Sequence, residues 1–205
     1  MVLNCDVEKN KLRLAIELSS FLLKSKEKPI FLCVGTDKVV GDLVGVIVGE
    51  LLSKKYHPNA YVYGNLDYAV TNKNIPIVVE YLKQNYPQNP VIVIDGICGE
   101  THELKHIKAY EHGCVPGGEF GFGVPVGDYS ILGVVDVKGI DKLGFLKSVK
   151  LKTVVGIAEF IAESINMAYK FCGTLVWWLD SRNKNPKFQI STFLLFCVNF
   201  SIKIA

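Results

Sequence analysis

The chain has 205 residues, 49% of them hydrophobic and 21% charged, with a formal net charge of +3 at pH 7. That is enough apolar material for one well-buried core, and it falls within the usual size of a single domain. The positive charge is spread along the chain without a long basic run, which excludes the dense cationic stripe that nucleic-acid recognition needs.

Residues 1–11 carry acids and lysines where a secretory signal would be uninterruptedly apolar, so the sequence predicts no export signal and a cytoplasmic protein. The cysteines Cys5, Cys33, Cys98, Cys114, Cys172 and Cys197 form no CxxC pair. Cys33 also falls inside an apolar run, which suits reduced, buried thiols better than disulfides or a zinc knot.

In chain order, Leu12, Leu14, Ala15, Leu18, Phe21 and Leu22 recur at helical spacing and predict an amphipathic helix that ends in the polar run 24–28. The continuous apolar run from Pro29 to Val34 then predicts a strand covered on both faces and stopped by Gly35. Leu43, Val44, Val46, Ile47, Leu51 and Leu52 predict a second helix, with Asp42 placed to cap or open it. Ala60–Tyr63 reads as a second strand, Asn74–Tyr86 as a helix with Pro76 in its first turn, and Val91–Ile94 as a third strand ending at Asp95.

The glycine-rich stretch from Gly96 to Asp128, with turns at Pro116-Gly117-Gly118 and Gly121-Phe122-Gly123, predicts exposed loop and hairpin, with His106–Glu111 as a further strand. Tyr129–Val135 predicts another strand and Leu143–Tyr169 a long closing helix. Strands alternating with helices imply an α/β fold: three layers, a mostly parallel central sheet, and helices on both faces. The expected domain covers residues 1–170. Residues 171–205 form an atypical tail, whose apolar run from Ile190 to Ile204 is too short and too interrupted for a spanning helix, so no membrane partner is expected. Its β-branched and aromatic content suits an edge strand or a cover for an apolar surface.

If the first three strands take the doubly wound order 2-1-3, Asp42 and Asp95 lie on the rim of one crevice, at the carboxyl ends of neighbouring strands. Two carboxylates converging there either share a proton or hold a cation. A shared proton supplies a base to activate water and an acid to polarise a carbonyl, whereas a divalent metal makes bound water more acidic and acts as a Lewis acid. The competing structural reading makes Asp42 a helix cap and Asp95 the opening of a turn, with Gly35 and Gly41 serving only the loop. Neither GxGxxG nor GxxxxGK[ST] occurs, so no nucleotide cofactor is expected.

The run from Phe31 to Gly45, FLCVGTDKVVGDLVG, then VYGNLD at 62–67, VIVID at 91–95, VPGG at 115–118 and VGDYSILGVV at 126–135, resemble the YyaC family of sporulation proteins. That resemblance covers roughly residues 29–169. It implies kinship with the germination protease that degrades small acid-soluble spore proteins and, more distantly, with the hydrogenase maturation endopeptidases, which share a phosphorylase/hydrolase-like fold. It also implies a peptidase of the sporulation or germination programme, acting on a protein or peptide substrate in the spore-forming cell or forespore. Asp42 and Asp95 match the family's acidic positions.

The cofactor stays open between none, with a shared proton, and a divalent metal, nickel or zinc, for which Asp42 and Asp95 are the candidate ligands. No histidine matches the trio of the maturation endopeptidases, although His102, His106 and His112 all lie after Asp95. Asp128 is a candidate third residue, and Gly35 and Gly41 are candidates for binding substrate. Cys98 near His102 is a weaker nucleophile-and-base candidate. Absence of catalysis, with the fold retained for binding or regulation, is the alternative function.

Overall fold

The structure, a computed structural model, describes residues 1–116, 125–138 and 149–184, with side chains described as far as residue 175. The chain forms two compact units, Met1–Tyr169 and Lys170–Ala205. The first unit is an α/β assembly around a six-stranded mixed sheet of order β1-β5-β6-β4-β2-β3. Its strands are β1 (Val2–Asn4), β2 (Ile30–Cys33), β3 (Tyr61–Tyr63), β4 (Val91–Gly99), β5 (His106–Tyr110) and β6 (Tyr129–Val137). The described helices are α1 (Lys9–Leu22), α2 (Val44–Leu51), α3 (Ile75–Asn85) and α4 (Leu151–Lys184).

The central strand β2 is fully buried from Ile30 to Cys33, which is why its sequence is apolar without alternation. It pairs in parallel with β3 on one side, Ile30 opposite Tyr61, and with β4 on the other, Ile30 opposite Val91. The predicted order of these strands is therefore the observed one. The sheet departs from a parallel plan at β5, which runs antiparallel to both β6 and β1. β1 comes from the N-terminal residues, whose single buried member, Leu3, is too little apolar signal to mark a strand in sequence.

Strand alternation sorts the core. Ile30, Leu32, Val34 and Val93 face α3, where Ile75, Val79 and Leu82 form a buried stripe spaced four and three residues apart. On the opposite face, a Cβ built at Gly133 would touch Ile157 of α4 and Val44 of α2. Phe21 of α1 packs on Tyr129 there with ring centroids 4.9 Å apart. Each large aliphatic side chain buried in these layers contributes roughly 1.5–3 kcal/mol.

Two glycines let α2 lie close over the strand ends. A Cβ at Gly45 would sit 2.1 Å from the Val34 carbonyl oxygen, and one at Gly49 would sit 1.7 Å from that of Gly64. The helix starts later than the periodicity suggests. Val40–Asp42 form a 3-10 turn and Leu43 holds the N-cap position of α2 with no side-chain capping bond, so Asp42 is not the cap. The closing helix begins at Leu151; its expected start at Leu143, the turns from Gly117 to Gly123 and the apolar run 190–204 fall outside the described residues. No helix among the described residues is long and apolar enough to cross a membrane.

Candidate active site

β2 and β4 end unequally, and that difference builds the site. Their ladder closes at Cys33 opposite Ile94, followed by the bond from the Val34 N–H to the Ile94 carbonyl. β2 then leaves the sheet at Gly35, while β4 continues to Gly99, paired only with β6. Asp95 is thus not the last residue of its strand, and Gly96–Gly99, expected as loop, extend β4. What ends at Asp95 is its pairing with β2, so on that side it is flanked by the chain that leads to Asp42.

The departing chain folds straight back. Gly35 has φ +148°, and its N–H bonds the Val70 carbonyl at 2.8 Å. A Cβ at Gly35 would lie 2.0 Å from the Asp42 carbonyl oxygen, which also accepts the Thr36 N–H at 3.1 Å. Gly41 is buried, and a Cβ at Gly96 would lie 2.8 Å from its carbonyl oxygen. Gly35 and Gly41 therefore serve a close backbone approach that lays the Asp42 turn on β4 at Gly96, the residue after Asp95.

The environments of the two aspartates follow from this packing. Burial pushes the Asp42 carboxyl up from its ordinary 3.8 to about 6, opposed in part by the Thr36 N–H. Asp95 is only 5% exposed, and its Oδ1 accepts the Gly96 N–H at 2.8 Å. By alternation its side chain shares a face with Val91 and Val93. The Cys114 thiol, close to that face, is pushed up to about 12 by burial and then by the charge of Asp95.

Asp128 lies at the other end of the strands. Its Oδ2 accepts the Val91 N–H at 2.8 Å, and its own N–H bonds the Val91 carbonyl at 2.7 Å. Because Tyr129 sits opposite Ile92 and Leu132 opposite Asp95, the Asp128 anchor is about 13 Å along β4 from Asp95 at the usual rise per residue. Asp128 fixes the start of β4 and is not brought to the Asp42 turn.

The histidines have local partners or face water. His106 Nδ1 lies 3.2 Å from the Leu104 carbonyl, and His112 Nδ1 lies 2.8 Å from that of Gly113 while its ring stacks on Tyr110. His102 is exposed on the turn after β4. Cys98 is buried in β4, and Cys5, Cys33 and Cys114 are free thiols. Among the described residues no group of three or more His, Cys, Asp and Glu side chains is gathered as a metal ion would need. The donor set at Asp42 and Asp95 does not by itself fit nickel or zinc, and the chemistry below is carried by protons alone.

Two further polar residues escaped the sequence reading. Cys114 looks like filler in sequence, and only the loop that returns beside β4 brings it near Asp95. Asp136, next to last in β6, follows that strand's apolar part much as Asp95 follows that of β4. A register shift after Ile97 sets Asp136 opposite Cys98. Its Oδ1 accepts the Val137 N–H at 2.8 Å, whereas its Oδ2 is buried with no hydrogen-bond partner. A polar residue closing an apolar strand was the available signal for it.

Taken together, these features describe an α/β protein whose strand β4 carries a buried acidic residue just past its parallel ladder with β2, with a second acidic residue on a turn packed against the same strand. The chain belongs to the family described as "Protein of unknown function (DUF1256)", whose model matches residues 2–164. It is 30% identical over 152 residues to the "Uncharacterized protein YyaC" of Bacillus subtilis (strain 168), covering 73% of this chain and 74% of that protein.

Proposed function

We propose that this chain is a peptidase of the spore-forming cell, acting on a polypeptide through Asp42 and Asp95, on the phosphorylase/hydrolase-like plan of the germination protease. The observation that carries this reading is the Asp42 carboxyl, held near 6 by burial, in a turn packed on β4 at Gly96, the residue after Asp95. A carboxyl that titrates there exchanges its proton close to physiological pH, which an ordinary surface aspartate does not.

With one proton shared between the two carboxyl groups, the ionised member takes a proton from water as the water oxygen attacks the peptide carbonyl carbon. The protonated member donates to the carbonyl oxygen. As the C–N bond breaks, the proton taken from water passes to the leaving amine, a hydroxyl of the tetrahedral intermediate returns its proton to the other carboxylate as the C=O re-forms, and the pair ends with a single proton again. The test is cleavage of a small acid-soluble spore protein by wild type, Asp42→Asn and Asp95→Asn, with thermal melting as the folding control. Loss of turnover in both folded variants supports the reading, and wild-type cleavage by either one refutes it.

A second reading, a binding protein that keeps the fold without catalysis, is favoured by the Gly96 N–H bond, which gives the Asp95 carboxylate a purely structural partner. A bound partner retained after loss of both carboxylates, with no turnover in wild type, selects it.

A further inference from the structure

A cavity of about 640 Å³ lies between the last turns of α3 and the chain segments on either side of the Cys114–Val126 bridge. Its size falls within the range of sites that enclose a ligand. Val79 and Leu82 of α3, 5% and 3% exposed, join Val91 and Val126 in lining it. All four belong to, or pack against, the core cluster on the α3 face of the sheet. The apolar lining is thus an opening into the core layer rather than a surface dent.

The charged groups that line the cavity are Lys83 and Asp128, both exposed, and the Asp128 carboxylate is engaged by the Val91 N–H. A charged ligand group pushed inward would lose its water without finding a counter-ion, whereas an aliphatic one would be stabilised by leaving water. The Cys114 thiol on the wall stays neutral, since burial and the nearby Asp95 push it up to about 12. Cys114 also ties the cavity to the proposed site, because its thiol feels the charge of Asp95, which shares a sheet face with the lining residue Val91. From Val91 on the cavity wall, β4 runs about 13 Å to Asp95 at the usual rise per residue.

We propose that this cavity is the side-chain pocket of the polypeptide site, selecting an aliphatic residue such as Leu in an extended substrate and setting its backbone toward Asp95. The inference rests on the peptidase reading, and it adds the substrate class. Two lining glycines allow close approaches of the chain that shape its wall. Gly127 has φ +94°, and a Cβ there would lie 2.6 Å from Val93. A Cβ at Gly113 would lie 2.3 Å from the Gly127 carbonyl oxygen.

The experiment titrates fluorescein-labelled peptides, identical except for Leu, Ser or Glu at one position, into wild type and Asp95→Asn by fluorescence anisotropy. In parallel, iodoacetamide modification of Cys114 is followed at pH 9 by mass spectrometry. The Leu peptide is expected to bind at least tenfold more tightly than the Glu peptide to both proteins, and to slow modification of Cys114 at least fivefold. Val126→Phe, which fills the cavity, removes the Leu preference. Equal affinities, no binding, or an unprotected Cys114 overturns the pocket. Cleavage without preference for Leu overturns the pocket and leaves the aspartate reading in place. Leu preference and Cys114 protection without any cleavage support the pocket and overturn the peptidase reading.

Discussion

Replacing Asp42 with Asn should make the protein more stable at neutral pH and leave it nearly unchanged in acid. A carboxyl raised in the folded chain from 3.8 to about 6 binds its proton more tightly folded than unfolded. Its protonated form therefore favours the fold. That contribution is fully present below 3.8 and is lost as pH rises through about 6. At pH 7.5 the ionised, partly buried carboxylate costs the wild type about 3 kcal/mol at 1.36 kcal/mol per pKa unit, and nearer 2 once contact with water is allowed for. Asn keeps the shape without the charge, so the variant escapes the cost. Urea unfolding at pH 4 and pH 7.5 measures both proteins, and the gap should open between those values by about 2 kcal/mol. An equal gap at both pH values would show that burial does not hold the Asp42 carboxyl up.

Gly45→Ala tests the close approach of α2 to the strand ends: its Cβ would meet the Val34 and Ile94 carbonyl oxygens at 2.1 and 2.8 Å. The expected cost is about 3 kcal/mol, seen as a lowered thermal midpoint. Asp128→Ala removes the bond to the Val91 N–H and should cost about 1 kcal/mol in urea unfolding.

Where the chemistry of a segment was one-sided, the sequence was easy to read. The unbroken apolar run of β2 and the stripe of Ile75, Val79 and Leu82 have few alternatives, and both stand as expected. Gly96–Gly99 were harder. Glycines usually mark turns, yet here Gly96 supplies clearance for the Gly41 carbonyl within a strand, a demand that only the packed loop creates. The Val2–Asn4 strand was invisible for a related reason, since its pairing comes from β5, more than a hundred residues later.

The acidic residues show the same limit more sharply. Asp42, Asp95 and Asp128 all follow or precede apolar runs next to glycines, so local pattern treats them alike. Register separates them: Asp128 anchors the amino end of β4 while Asp95 lies past the β2 ladder. Asp136 needed the register shift after Ile97, which no spacing rule reveals.

The decisive measurement is the titration of the Asp42 side-chain carboxyl, followed by carbon NMR in wild type and in Asp95→Asn. If positions 42 and 95 share a proton, the wild-type midpoint lies above the value of about 6 that burial sets and falls toward it when the neighbouring charge is removed. A midpoint that does not move with residue 95 would contradict a shared proton and, with it, the catalytic pair.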